Sequence, residues 1–234
     1  RKKAYQMRKI IEAVVDKGSF FEIAKGFGRA IITGFARLDG WPVGILAGDP
    51  LHDGGAWNAA ASRKITKFID TCQTFHLPVV HLVDCFGFAV GLQAESTGTM
   101  RFAVQAVSAI HQSTVPWCSV IVRNVFGVGG GAHLPHTHVS FRYSWPSGNW
   151  GSLPLEGGVE AAYRAEIDGA DDPVAKLAEI EQRLERLRSP FRTAEAFLVE
   201  EIIDPRETRP LICEFANLAA PLRQVGPSAF TIRP

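Results

Sequence analysis

Trp117-Cys118-Ser119-Val120-Ile121-Val122, running into Arg123-Asn124-Val125-Phe126-Gly127-Val128-Gly129-Gly130-Gly131-Ala132-His133, is the stretch on which the fold turns. Residues 117–122 are apolar with little alternation, the pattern of a strand buried on both faces. The glycines that follow free the backbone to present amide N–H groups, and a helix starting there adds positive potential. A loop of this kind suits a phosphate or a developing oxyanion. It suits a plain tight turn as well, and the local sequence leaves both readings open. A dinucleotide site is disfavoured, because the spacing is GxGGG and no suitable acidic residue lies about twenty positions on.

Upstream, the same kind of unit is repeated. Residues 62–75 place Ile65, Phe68, Ile69, Cys72 and Phe75 on one helical stripe, Leu77-Pro78 ends it, and residues 79–84 read as a buried strand. A helix over 97–112, apolar on most faces, then leads through Val115-Pro116 into the strand at 117. Helix, strand and glycine loop thus alternate, which predicts stacked right-handed βα units with their loops gathered at one end. Further out, Asp39-Gly40 joins the apolar runs 31–38 and 42–47 as a hairpin, residues 20–23 form a short strand, and 5–15 an amphipathic helix. The last third is helical and charged. Asp172-Pro173 starts a helix with Val174, Leu177, Ile180, Leu184 and Leu187 on its apolar stripe and a Glu179–Arg183 pair on its wet face. Ser189-Pro190 breaks it, and two more helices are expected over 194–201 and 207–222. No repeat or low-complexity linker interrupts the chain, so one domain over 1–234 is the simplest organisation.

Composition sets outer limits. With 25 Lys plus Arg against 24 Asp plus Glu the net charge is +1, so the basic footprint of a nucleic-acid binder is absent in bulk. A hydrophobic content of 46% is that of an ordinary globular chain and not a disordered one. Cys72, Cys85, Cys118 and Cys213 form no CxxC pair and read as buried thiols in a reducing compartment, the cytoplasm or an organelle matrix. No apolar run reaches the roughly 20 residues that a bilayer demands, and no signal peptide is visible. The chain opens Arg1-Lys2-Lys3 without an initiator Met, as expected of a processed chain or part of a longer one.

Side-chain chemistry is sparse. His133, His136 and His138 invite a metal, but Pro135 interrupts any helix there and no carboxylate lies close by, so a polar cluster is the better reading. GxSxG does not occur and no Cys sits in a thiolate-stabilising motif. Asp84, at a strand end, reads evenly as a site carboxylate or a loop cap. A fold with backbone-presenting loops and few acids, bases or nucleophiles suits catalysis by positioning and oxyanion stabilisation.

In this setting the chain resembles the C-terminal half of the carboxyltransferase subunit of biotin-dependent acyl-CoA carboxylases. The stretches that carry the likeness are Tyr5-Gln6-Met7-Arg8 with Ile10-Ile11, residues 28–37, Pro42-Val43-Gly44-Ile45, Leu77-Pro78-Val79-Val80, and Leu82-Val83-Asp84 with Gly87-Phe88 and Gly91. Val115-Pro116, the glycine segment, residues 155–160, and Ile203-Asp204-Pro205 with Thr208-Arg209 complete it, in order along nearly the whole chain.

The resemblance implies an α/β, crotonase-like spiral of stacked ββα units with C-terminal helices. It implies transfer of a carboxyl group from carboxybiotin to the α-carbon of an acyl-CoA, with no metal in this chain. In that family carboxybiotin releases CO2, the biotin enolate acts as base, and pairs of backbone amides stabilise the enolates. Carried over by position, the biotin-side amides fall at Val128 and Gly129, with Gly87, Phe88, Gly127 and Gly130 beside them, and the position shaping the acyl pocket falls at Gly131. The implied partners are an N-terminal CoA-binding half, a biotin carboxyl carrier protein and a biotin carboxylase, in an oligomer resembling a ring of six. Two departures stand out. Phe86 replaces a usual proline, which bears on the turn at Gly87 and Phe88, and Gly131 leaves space that favours a longer or branched acyl chain. A decarboxylase or transcarboxylase subunit, or a non-catalytic scaffolding half, shares most of these features. A crotonase-type hydratase fits less well, since no pair of catalytic carboxylates is evident.

Overall fold

The computed structural model describes residues 3–133, 135, 139–152 and 158–227. Its strands are β1 (Phe21–Ile23), β2 (Ile31–Leu38), β3 (Trp41–Gly48), β4 (Val79–Cys85), β5 (Trp117–Phe126), β6 (Ser140–Ser144), β7 (Asn149–Gly151) and β8 (Glu201–Ile202). They form one sheet in the order β1-β2-β3-β4-β5-β6-β8, with β7 beside the far end of β5. The β1–β2 and β2–β3 pairs are antiparallel, and β3 to β6 run parallel. The Asp39-Gly40 hairpin forms as expected, both residues taking positive φ.

Helices cover both faces. They are α1 (Met7–Val14), α2 (Ala59–Thr74), α3 (Leu92–Ser96), α4 (Thr99–His111), α5 (Gly127–Gly131), α6 (Gly158–Ala162), α7 (Arg164–Asp168), α8 (Pro173–Leu187), α9 (Pro190–Glu195) and α10 (Thr208–Ala219). Alternation along the central strands sorts the core into two layers. Val43, Ile45, Val80, Leu82 and Val120 point toward α1 and α10, meeting Met7, Ile11, Ile212 and Phe215. Leu46, Val79 and Trp117 point the other way, toward Ile65, Phe68 and Ile69 of α2 and Ala106 and Ile110 of α4. Strands buried on both sides account for the near-continuous apolar runs in the sequence.

Several expected elements differ. The strand at 117 continues to Phe126, and the glycines after it form a helical turn in place of a loop. The helix expected over 97–112 forms as α4 from Thr99, with Gly98 at φ +70° separating it from the short α3 that precedes it, but Met100 and Val104 on it are half exposed. Ser189-Pro190 does end α8, but it also starts α9: the Ser189 hydroxyl accepts the Phe191 amide and Pro190 occupies the first helical position. Residues 194–201 therefore do not form a separate helix, and Glu201 and Ile202 lie in β8. On α8 the expected Glu179–Arg183 pair gives way to Lys176, which reaches Glu166 at 3.1 Å and Glu179 at 3.2 Å, while Arg183 stacks over Tyr163. β6, β7 and the short helices α6 and α7 were not legible in the sequence.

Candidate active site

The C-terminal ends of the parallel strands β4 and β5 lie side by side, the usual position for a site in an α/β sheet. Each strand delivers one part. After β4 the chain turns through Cys85-Phe86-Gly87-Phe88; after β5 it enters α5. The two parts touch. A Cβ placed on Gly129 would stand 2.9 Å from the Phe88 ring and 3.3 Å from the Gly87 carbonyl carbon, so only glycine lets them approach this closely. Gly87 holds φ +92°, and a Cβ there would lie 3.2 Å from the Phe126 carbonyl oxygen.

Within α5, Gly127 takes φ +59° where the chain leaves the strand. Gly130 sits on β5, with a would-be Cβ only 2.5 Å from the Val125 carbonyl carbon. Gly131 is different: it is exposed, and nothing among the described residues lies within 4 Å of an added Cβ. Val128 has its side chain in solvent, while its carbonyl accepts the Ala132 amide at 3.0 Å. The first-turn amides of a helix have no acceptor within it, so Val128 and Gly129 offer two adjacent N–H donors. The structure therefore brings Gly87, Phe88, Gly127, Val128, Gly129 and Gly130 together, with Gly131 at the open end.

The turn forms with Phe86 in the place of a proline. The Phe86 ring meets Phe126 edge-on, centroids 5.3 Å apart, and stands 3.4 Å from where a Gly54 Cβ would be. Packing thus fixes the turn without a ring-locked φ. Trp57, fully buried, joins from the segment before α2: its amide donates to the Gly87 carbonyl at 2.9 Å, its carbonyl accepts the Ala89 amide at 3.0 Å, and its ring lies 6.0 Å from Phe88. Nothing in the sequence distinguished Trp57 from any other core aromatic.

Asp84 is a brace and not a free site carboxylate. It is fully buried at an irregularity in the β4–β5 ladder, and accepts from Tyr5 Oη at 2.8 Å, the Asn124 amide at 3.1 Å and Asn124 Nδ2 at 2.9 Å. Arg123 completes the set, Nη2 at 2.9 Å. Burial and the Asp84 charge push the Tyr5 hydroxyl well above its ordinary range, so it stays a donor. Arg8 likewise spans Glu22 at 2.7 Å and the buried Asp49 at 2.6 Å. The Tyr5-Gln6-Met7-Arg8 stretch is therefore a clamp that ties α1 to the strand ends. Arg209, from the Thr208-Arg209 pair, holds Asp16 at 2.7 Å.

The histidines hold no metal set among the described residues. His133 is buried, and its carbonyl accepts Trp117 Nε1 at 2.8 Å and the Ser119 hydroxyl. His136 and His138 lie outside the described residues, as do residues 155–157 of the 155–160 stretch. All four cysteines are buried free thiols. No helix among the described residues is long and apolar enough to cross a membrane.

Comparison with known proteins agrees with this architecture. The carboxyl transferase domain model matches residues 1–226. The carboxyltransferase subunit of a propionyl-CoA carboxylase from Haloferax mediterranei is 34% identical over 213 residues, covering 89% of this chain and 41% of that protein. The methylmalonyl-CoA carboxyltransferase 12S subunit of Propionibacterium freudenreichii subsp. shermanii is 34% identical over 232 residues, 97% of this chain and 44% of that protein. A transcarboxylase 12S crystal structure, a hexamer assembly with methylmalonyl-coenzyme A bound, superposes with TM-score 0.86 at 32% identity over 99% of this chain and 45% of its own. The chain thus spans less than half the length of these relatives, and the crotonase-like α/β spiral is their fold. With its glycine turn, its strand order and its match over 226 residues, the chain belongs to the carboxyl transferase domain family.

Proposed function

We propose that residues 1–234 form the biotin-side, C-terminal-type half of a biotin-dependent acyl-CoA carboxyltransferase. The observation that carries this reading is the pair of adjacent backbone donors at Val128 and Gly129, bordered by the Phe88 ring where a glycine alone fits. Two N–H groups beside a flat ring, with no charged side chain among residues 127–131, suit the ureido oxygen of biotin. Carboxybiotin, carried to the site, supplies both the carboxyl group and the base for the α-proton. The chain supplies placement and charge stabilisation. One preorganised donor of this kind is worth about 3–4 kcal/mol toward a developing oxyanion.

Gly87 and Phe88 wall the biotin side, Gly127 and Gly130 shape α5, and Gly131 faces the acyl pocket. The open space at Gly131 favours a longer or branched acyl chain over acetyl. Asp84 is engaged by Tyr5, Arg123 and Asn124, so it does not compete as a base at the strand ends. The partners on this reading are an N-terminal CoA-binding half, a biotin carboxyl carrier protein and a biotin carboxylase, assembled as a ring of six in the cytoplasm or an organelle matrix. The hexameric 12S relative with its bound methylmalonyl-coenzyme A supports the ring of six and the acyl-CoA substrate.

The test is Gly129→Val in the enzyme assembled with a CoA-binding half. Carboxyl transfer from the carboxylated carrier should fall at least a hundredfold while the assembly persists. Unchanged transfer would refute the reading, and no transfer by either protein in an intact assembly would identify a scaffolding half. Turnover confined to acetyl-CoA would overturn the role given to Gly131.

A further inference from the structure

One side chain beneath the Gly87–Phe88 turn has no role so far. The Cys85 sulfur lies 3.3 Å from the Gly87 amide nitrogen, from which it accepts, and 3.8 Å from the Gly87 carbonyl oxygen, to which its S–H donates. It therefore holds both polar groups of one residue. Burial pushes the thiol up to about 12, so it keeps its proton and serves as donor and acceptor, not as a nucleophile. The Gly87 carbonyl also takes the Trp57 amide at 2.9 Å, so the peptide groups of this glycine are pinned from two sides. Gly87 at φ +92° has the widest conformational freedom of any residue in the turn, and it is the one that is pinned. The next residue, Phe88, presses its ring on Gly129. Two contacts, joined by the peptide bond between Gly87 and Phe88, thus connect the sulfur to α5.

We propose that Cys85 is a positioning residue for carboxyl transfer: by holding the Gly87 amide and carbonyl it fixes how Phe88 seats on Gly129, and with it where the Val128 and Gly129 amides meet the biotin-side substrate. This rests on the carboxyltransferase reading above. The consequence is one-sided. Removing the sulfur loosens the wall that faces biotin and leaves the CoA-binding half untouched. A net hydrogen bond of about 1 kcal/mol corresponds to roughly a fivefold change.

The experiment compares Cys85→Ala, Cys85→Ser and Gly129→Val with the wild type in the enzyme assembled with its CoA-binding half. Cys85→Ala should raise KM for the carboxylated carrier about fivefold with KM for acyl-CoA unchanged. Cys85→Ser should return to within twofold of wild type, since a hydroxyl offers the same donor and acceptor. Transfer by Gly129→Val at the wild-type rate would sink the carboxyltransferase reading itself. Loss of transfer there, with Cys85→Ala unchanged, with both KM values rising together, or with no rescue by Ser, would overturn the role of Cys85 alone. Amide hydrogen exchange gives a readout that needs no turnover: the Gly87 amide should exchange about fivefold faster in Cys85→Ala with β4 protection unchanged, and equal exchange overturns the proposal.

Discussion

Replacing Asp84 by alanine should destabilise the fold while leaving the site's chemistry formally intact. The carboxylate has no solvent exposure and receives Tyr5 Oη, the Asn124 amide, Asn124 Nδ2 and the Arg123 guanidinium at 2.8–3.1 Å. In Asp84→Ala the Arg123 side chain, 11% exposed, loses its carboxylate and keeps the Lys3 carbonyl at 3.0 Å and the face of the Tyr5 ring at 4.9 Å. Breaking a buried pair from one side costs about 3–5 kcal/mol, most of it from the charge left behind. The double variant isolates the pair. Asp84→Ala with Arg123→Leu removes both charges, so its cost should fall short of the summed single costs by about 2 kcal/mol. Urea denaturation of the four proteins closes the cycle. A single-variant cost below about 1 kcal/mol, or strict additivity, would refute the brace. An Asp84→Asn protein with full stability and no carboxyl transfer would make Asp84 a site carboxylate after all.

Acid should act on the core through His81. Burial holds its imidazole down at about 3, with His133 adding to the effect, whereas an unfolded chain titrates near 6.5. The unfolded state therefore binds the proton first, so the stability from this group is complete above about pH 6.5 and is lost as pH falls toward about 3. At pH 5 the loss is about 2 kcal/mol relative to pH 7.5, and urea midpoints of His81→Gln should lack it; equal slopes in both proteins would count against the assignment. Gly130→Ala should cost about 1–3 kcal/mol, since its Cβ meets the Val125 backbone, while Gly131→Ala meets nothing among the described residues and gains up to about 1 kcal/mol in helix propensity. Equal thermal shifts for the two alanines would contradict the packing.

The buried strands β4 and β5 were legible because parallel strands covered on both faces write themselves as apolar runs, and the hairpin because Asp-Gly has few other uses. What stayed hidden is set by tertiary contact. β5 runs four residues past the expected end because Asp84 caps the Asn124 amide across the ladder, a partnership of residues forty apart. Two-residue β8 and three-residue β7 are too short to carry a period and exist only where β6 and β5 offer an edge. Ser189-Pro190 reads as a stop because proline ends helices; the same dipeptide is a cap and first position, and here both hold.

The candidate site was half legible for a related reason. On the proposed reading its donors are backbone amides, which every sequence has, so their only trace is the glycine that lets them be approached. Gly129 leaves that trace because the Phe88 ring fills the place of its side chain, and Gly130 because β5 does. Gly131, identical in sequence, meets nothing among the described residues where its Cβ would be, so three consecutive glycines have three different reasons. The residues with recognisable chemistry, Tyr5, Arg8, Asp49, Asp84 and Arg123, went into the frame instead: they tie α1 to the ends of β3 and β4 and hold the bulge from which α5 departs. A site that works by placing N–H groups needs its acids and cations as anchors, and a search for catalytic side chains would have found those anchors and missed the amides.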